Sequence, residues 1–169
     1  MKHLYLIRHA KSSWDNPGLT DAERPLNKRG KRDAPFMGKL LKEQGIMPDL
    51  ICASPAKRAK QTAKIIAESI GFPTQDIRLL DDIYTSDLNL LLQVVQQIED
   101  TVANLFLVGH NYVLTDLAES LTSEVLGNIP TCGIVSIAFN VASWSEVTGG
   151  RGEMLFFDYP KKHLRHEEP

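Results

Sequence analysis

Leu4-Tyr5-Leu6-Ile7-Arg8-His9, residues 4–9, is the stretch on which the reading of this chain turns. Four apolar residues stop abruptly at two side chains able to carry positive charge. A run this short and this apolar suits a strand buried on both faces, the usual condition of a parallel sheet. The pattern recurs downstream: Asp49-Leu50-Ile51-Cys52-Ala53 ends at Ser54-Pro55, and Leu105-Phe106-Leu107-Val108 ends at Gly109-His110. Between these runs the periodicity becomes helical. After a polar loop from Lys11 to Pro25, Asn27 can cap a helix from Lys28 to Glu43, with Gly45 as its stop. An Ala- and Lys-rich helix then runs to Ile70 and closes at Gly71-Phe72-Pro73. Beyond it the spacing predicts a short strand over Ile77 to Leu80 and helices over Leu88 to Ile98 and Val113 to Leu121. Two last strands, Gly133 to Phe139 and Glu153 to Tyr159, flank a turn at Gly149-Gly150. Strands alternating with helices predict a three-layer α/β/α sandwich with a mostly parallel central sheet, to which the late strand pair can add an antiparallel edge.

The chain has 169 residues, 43% of them hydrophobic and 24% charged, which suits one domain with one core. That domain is expected to cover residues 1–160, followed by a charged tail over 161–169. His163 and His166 in the tail, with Glu167 and Glu168, stand at helical spacing for a metal. The tail composition favours a solvated, disordered segment instead. A net charge of -2 lacks the basic footprint that nucleic-acid binding requires. The N-terminal MKHLYLIRHAK is too short and too charged for a secretory signal, and no apolar run is long enough to span a bilayer, so a soluble cytoplasmic protein is expected. Cys52 and Cys132 match no zinc or disulfide spacing and read as reduced, structural residues.

In open α/β sheets ligands bind beyond the carboxyl ends of the strands. Arg8, His9 and His110 stand at such ends, and Arg58 follows the second strand closely. Parallel alignment brings all four to one rim, and their motifs contain no carboxylate to neutralise them. Clustering cationic groups is costly without a partner, so the pattern predicts a dianionic ligand such as a phosphoryl group. Arginine suits this ligand because its planar fork donates paired hydrogen bonds to phosphate oxygens. A neutral histidine can attack phosphorus and divide hydrolysis into two easier steps. Nearby guanidiniums disfavour protonation of that histidine. His9 is the preferred nucleophile, with Arg8, Arg58 and His110 holding the oxygens.

These residues resemble the histidine phosphatase superfamily, which also contains the phosphoglycerate mutases. LYLIRHA is similar to its opening strand and Arg-His-Gly motif, and ERPLNKRG to its Pro-Leu-Thr-x-x-Gly helix start. SPAKRAKQTA is similar to Ser-Pro-x-x-Arg-x-x-Gln-Thr, and LVGHN to the second histidine motif. The resemblance spans nearly the whole chain, with four motifs in order. It implies a phosphoglycerate mutase-like fold, a phosphorylated His9 held by Arg8, Arg58 and His110, and neither metal nor cofactor. The compact chain most resembles SixA-type phosphohistidine phosphatases. A phosphohistidine-bearing protein is therefore the expected substrate, and a small phosphorylated metabolite, turned over by a phosphatase or mutase, is the alternative.

The pattern is departed from at three places. Ala10 replaces glycine, which is tolerable if the backbone there needs no positive φ. Asp15 stands where many members have asparagine, and an ionised carboxylate facing phosphate would repel it, so it is expected to point away while Ser12 or Ser13 donates. The general acid matches LLDDIYTSD only loosely: Asp81 is the best candidate and Asp82 the alternative, although both fit a solvated turn equally well. A phosphorylated imidazole needs less help from an acid than an alkyl phosphate does. Asp15 and the unsettled acid also motivate a reading of another class, a phosphoprotein-binding module with weak catalysis. Lys57, Lys60 and Lys64 share one helix face, read here as solvated. Trp14 and Trp144 either line the cleft or pack in the core.

Overall fold

The computed structural model describes residues 1–164. One sheet of six strands forms the middle layer: β1 (Lys2–Arg8), β2 (Leu50–Ala53), β3 (Arg78–Leu79), β4 (Asn104–Gly109), β5 (Ile134–Phe139) and β6 (Gly152–Asp158). Their order across the sheet is β3-β2-β4-β1-β5-β6. β1, β2, β3 and β4 are mutually parallel through their pairings, while β5 runs antiparallel to both β1 and β6. The late strand pair thus forms the antiparallel margin that its position in the sequence suggested.

Among the described residues five α-helices complete the layers: α1 (Lys28–Glu43), α2 (Lys57–Ile70), α3 (Leu88–Gln96), α4 (Val113–Thr122) and α5 (Pro160–Leu164). The single core expected of one domain is divided by the sheet into two, as the period-two alternation of strand side chains dictates. Leu4 and Leu6 of β1 face one core with Leu91, Leu114 and Leu117 from α3 and α4, which also takes in Trp144. Tyr5 and Ile7 face the other, with Met37, Leu41, Ala63 and Ile66 from α1 and α2. The fully buried Leu4, Leu6, Ile7 and Phe106 are therefore packed from both sides of one sheet. Truncating one such leucine to alanine typically costs about 2–5 kcal/mol.

The boundaries have local causes. Asn27 accepts a hydrogen bond from the Gly30 amide at 2.9 Å and starts α1, and Gly71, at φ 84°, ends α2 in a conformation that glycine adopts without strain. At Gly30 an added Cβ would lie 2.2 Å from the Lys11 carbonyl oxygen, so only glycine lets α1 press against the loop leaving β1. Ala10 is not among the residues with positive φ, and its methyl is fully buried. The tail reading is corrected at its start. Pro160–Leu164 is helical and packs on α1, with His163 Nε2 2.7 Å from Asp158 Oδ1 and its ring edge-on to Phe36. His166, Glu167 and Glu168 lie outside the described residues. Among the described residues no helix is long and apolar enough to cross a membrane.

Candidate active site

β1 and β4 are adjacent and in register, Arg8 opposite Gly109, so the residues that follow, His9 and His110, emerge side by side. Their ring centroids are 5.3 Å apart. The His9 backbone is clamped, its amide donating to the Gly109 carbonyl and its carbonyl accepting from the Cys132 amide. Thr62 holds the next residue: its hydroxyl accepts from the Ala10 amide at 2.9 Å and donates to the Arg58 carbonyl at 2.8 Å, tying the loop after β1 to α2.

His9 Nδ1 lies 2.8 Å from the Ala10 carbonyl oxygen. A carbonyl only accepts, so this bond puts the proton on Nδ1 and leaves the Nε2 lone pair free. Burial pushes the His9 pKa down to about 3, and the positive charges of Arg58 and Arg8 act in the same direction. His110 is pushed down to about 4, again mainly by burial and then by Arg58. Both rings are neutral near pH 7. His110 Nε2 is 2.7 Å from the Ser54 hydroxyl, and its Nδ1 accepts from Arg58 Nη2 at 3.5 Å.

Arg58, buried at the start of α2, is met by a carboxylate that the motif reading did not supply. Asp21 Oδ2 accepts from Arg58 Nη2 at 2.8 Å, and the Asp21 carbonyl accepts from Nη1 at 2.6 Å. The same carboxylate accepts from Tyr84 Oη at 2.5 Å and from Arg24 Nη1 at 3.0 Å. These hydrogen bonds, with that from Tyr84 foremost, lower the Asp21 pKa to about 2. Asp21 opens a single 3-10 turn, Asp21–Glu23, inside the polar loop. Thr20 and Glu23 brace it, the Thr20 amide donating to Glu23 Oε1 at 3.0 Å. Arg24 is locked as well: its guanidinium lies 3.4 Å over the Trp14 ring and donates to the Ser12 hydroxyl and the Ser13 carbonyl. Trp14 is therefore a platform for Arg24 at the surface, whereas Trp144 is a core residue whose indole N–H donates to the Val102 carbonyl.

Arg8 completes the cluster. Its Nη1 donates to the Ile129 carbonyl at 2.9 Å, while its buried Nε has no acceptor among the described residues. A buried donor left unpaired costs about 1–3 kcal/mol.

The structure thus brings together His9, His110, Arg8 and Arg58 and departs from expectation elsewhere. Ser12 is buried and engaged with Arg24, so it braces the site wall. Asp15 is exposed, its amide donating to Ser13 Oγ. Asp81 and Asp82 are not brought to the histidines. They line a separate cleft with Arg78, Leu80, Val94 and Ile98. The residue of the LLDDIYTSD segment that reaches the site is Tyr84, whose ring centroid is 5.1 Å from that of His110. Together with Arg58, Thr85, Ser86, His110 and Asn111 it lines a cavity of about 310 Å³. The sequence held a signal for the Asp21 turn, since Thr20-x-x-Glu23 has the spacing of a capping box. Nothing in the sequence pointed to Tyr84. Among the described residues no group of three or more His, Cys, Asp or Glu side chains is placed to hold a metal ion.

Residues 4–123, which carry every member of this cluster, match the histidine phosphatase superfamily (branch 1), and the chain belongs to that superfamily. Within it the similarity extends over nearly the full length to SixA structures. One, from Agrobacterium tumefaciens and provisionally assigned as the phosphohistidine phosphatase SixA, superposes with a TM-score of 0.77 at 28% identity, covering 94% of this chain and 98% of that one. The protein histidine phosphatase SixA complexed with tungstate shares the fold with a TM-score of 0.81 at 22% identity, over 95% of this chain and 98% of that one. An uncharacterised protein of Mycobacterium tuberculosis is 28% identical over 165 residues, spanning 92% of this chain and all of that protein.

Proposed function

We propose that this protein is a phosphohistidine phosphatase working through a phosphorylated His9. The observation that carries the proposal is the His9 ring itself: neutral, with Nδ1 engaged by the Ala10 carbonyl, and set between Arg8, Arg58 and His110. In the first step the Nε2 lone pair of His9 attacks phosphorus, and the bond from phosphorus to the substrate imidazole breaks. With the distal nitrogen of that imidazole protonated, the leaving group departs neutral and takes no proton from the enzyme. In the second step water attacks phospho-His9, its proton passes to a phosphate oxygen, and His9 leaves as neutral imidazole with Nδ1–H retained.

Arg8 and Arg58 stabilise the charge spread over the equatorial oxygens. The buried, unpaired Nε–H of Arg8 supports an oxyanion ligand, because such a ligand would supply the acceptor it lacks. The tungstate bound by the SixA relative is an oxyanion of the same kind. The absence of Asp81 from the cluster favours a leaving group that needs no strong acid. Asp21, held ionised, serves to orient Arg58 and cannot act as that acid.

The test is a time course of phosphate release from a phosphohistidine-bearing protein and from a panel of phosphorylated metabolites. A higher kcat/KM on the protein is the expected result. Faster turnover of a metabolite would keep phospho-His9 chemistry and replace the substrate class.

A further inference from the structure

α2 carries Arg58 into the site at its first turn and turns Lys57, Lys60 and Lys64 outward, all three exposed. Their spacing of three and four residues places them in one stripe, about 10 Å long at 1.5 Å rise per residue. Among the described residues, the side chains of Lys60 and Lys64 make no hydrogen bond or ion pair, although Glu68 stands one turn beyond Lys64 on the same helix. Lys57 feels Glu23, whose Oε1 accepts from the Thr20 amide and hydroxyl. Arginines of this chain are matched at close range, as Arg78 is with Glu99 at 2.7 Å and Arg24 with Asp21 at 3.0 Å.

The stripe also lies between two clefts with apolar walls. One, of about 540 Å³, is lined by Leu19, Ala22 and Pro55 along with the three lysines. The other, of about 250 Å³, is lined by Ile77 and Leu79 with Lys60 and Lys64. The first cleft shares a wall with the active site: Ala22 and Glu23 face the cleft, and Asp21 in the same turn holds Arg58. The lysine stripe and the active site are thus linked through this one turn.

We infer that the Lys57–Lys60–Lys64 stripe is the docking surface for the phosphorylated protein, which would present acidic side chains beside its phosphohistidine. The inference rests on the phosphohistidine reading of His9. Exposed charge pairs are individually weak and screened by salt, so the stripe would act chiefly on encounter and KM.

The test uses the full chain and two synthetic helical peptides, each carrying one phosphohistidine, one with a glutamate-bearing face and one with glutamine at the same positions. Free phosphoramidate gives the basal activity. The wild type is expected to favour the acidic peptide about tenfold in kcat/KM at low salt, which corresponds to ~1.4 kcal/mol, through KM, with the preference fading as salt is raised. The Lys57→Glu, Lys60→Glu, Lys64→Glu variant should lose that preference, favour a lysine-bearing peptide and hydrolyse phosphoramidate as the wild type does. Equal rates on both peptides, or a preference that survives charge reversal, would overturn the docking surface while leaving the phosphohistidine reading intact. Failure to dephosphorylate either peptide, while metabolites are turned over, would overturn that reading and the docking surface with it. Tighter capture of duplex DNA than of the acidic peptide by the same lysines would overturn the assignment to a protein partner.

Discussion

The carboxyl ends of β1 and β4 and the carboxyl end of β3 lie on the same rim of the sheet, and both carry ionisable side chains, yet the sheet treats them differently. β1 and β4 are neighbouring inner strands. The residues that follow them, His9 and His110, are buried, cross-tied and displaced in pKa by that burial and by Arg58. β3 is a two-residue edge strand, separated from β1 by β2 and β4. Three interstrand steps amount to about 14 Å at the usual strand spacing of ~4.8 Å. Asp81 and Asp82, just beyond β3, remain exposed in a cleft of their own. A charged residue at a strand end acquires chemical potential where neighbouring strands converge their ends and exclude water; at an edge it stays solvated.

The largest way to break this comparison, short of removing the nucleophile, lies at Arg58. Arg58→Ala is expected to lower kcat/KM on the order of 10²–10³-fold, as loss of one preorganised donor does elsewhere, and Arg58→Lys should recover only part, because an ammonium cannot reproduce the fork. A loss under threefold for the alanine variant, measured by phosphate release, would mean that the converging strand ends do not form the working site. Asp21→Asn should cost about tenfold in kcat/KM, the scale of one charged hydrogen bond of ~1.5 kcal/mol. A gain in phosphate affinity instead would show that Asp21 competes with the substrate for Arg58 and does not position it. Asp81→Asn is the smallest effect: activity within twofold of wild type and a Tm change within what ~0.5 kcal/mol produces. A tenfold loss of kcat there would place a working acid at the sheet edge and erase the contrast.

What was readable in advance follows the same division. Strand runs such as Leu4–Ile7 and Leu105–Val108 were legible because burial on both faces demands uninterrupted apolar residues. The cap at Asn27 and the stop at Gly71 were legible because backbone geometry restricts which residues serve there. His9, His110, Arg8 and Arg58 could be aligned because register follows from parallel pairing. Asp21 and Tyr84 were not, since Asp21 reaches Arg58 and Tyr84 reaches Asp21 from irregular segments whose paths depend on tertiary packing, 37 residues before Arg58 in the case of Asp21. The α5 helix was missed because five residues of charged composition carry little periodic signal, and its anchoring comes from Asp158 and Phe36.

The central claim, that a neutral His9 accepts the phosphoryl group, is tested most directly by rapid mixing with radiolabelled phosphoramidate, quenching in alkali and mapping of the labelled residue, at neutral pH and again at about pH 5. An ordinary imidazole, with a pKa of about 6.5, is largely protonated and non-nucleophilic at the lower pH. His9, held down to about 3, keeps its lone pair. The account predicts acid-labile label on His9 at both pH values and none in His9→Ala. Label on another residue, or turnover by His9→Ala at the wild-type rate, would contradict it.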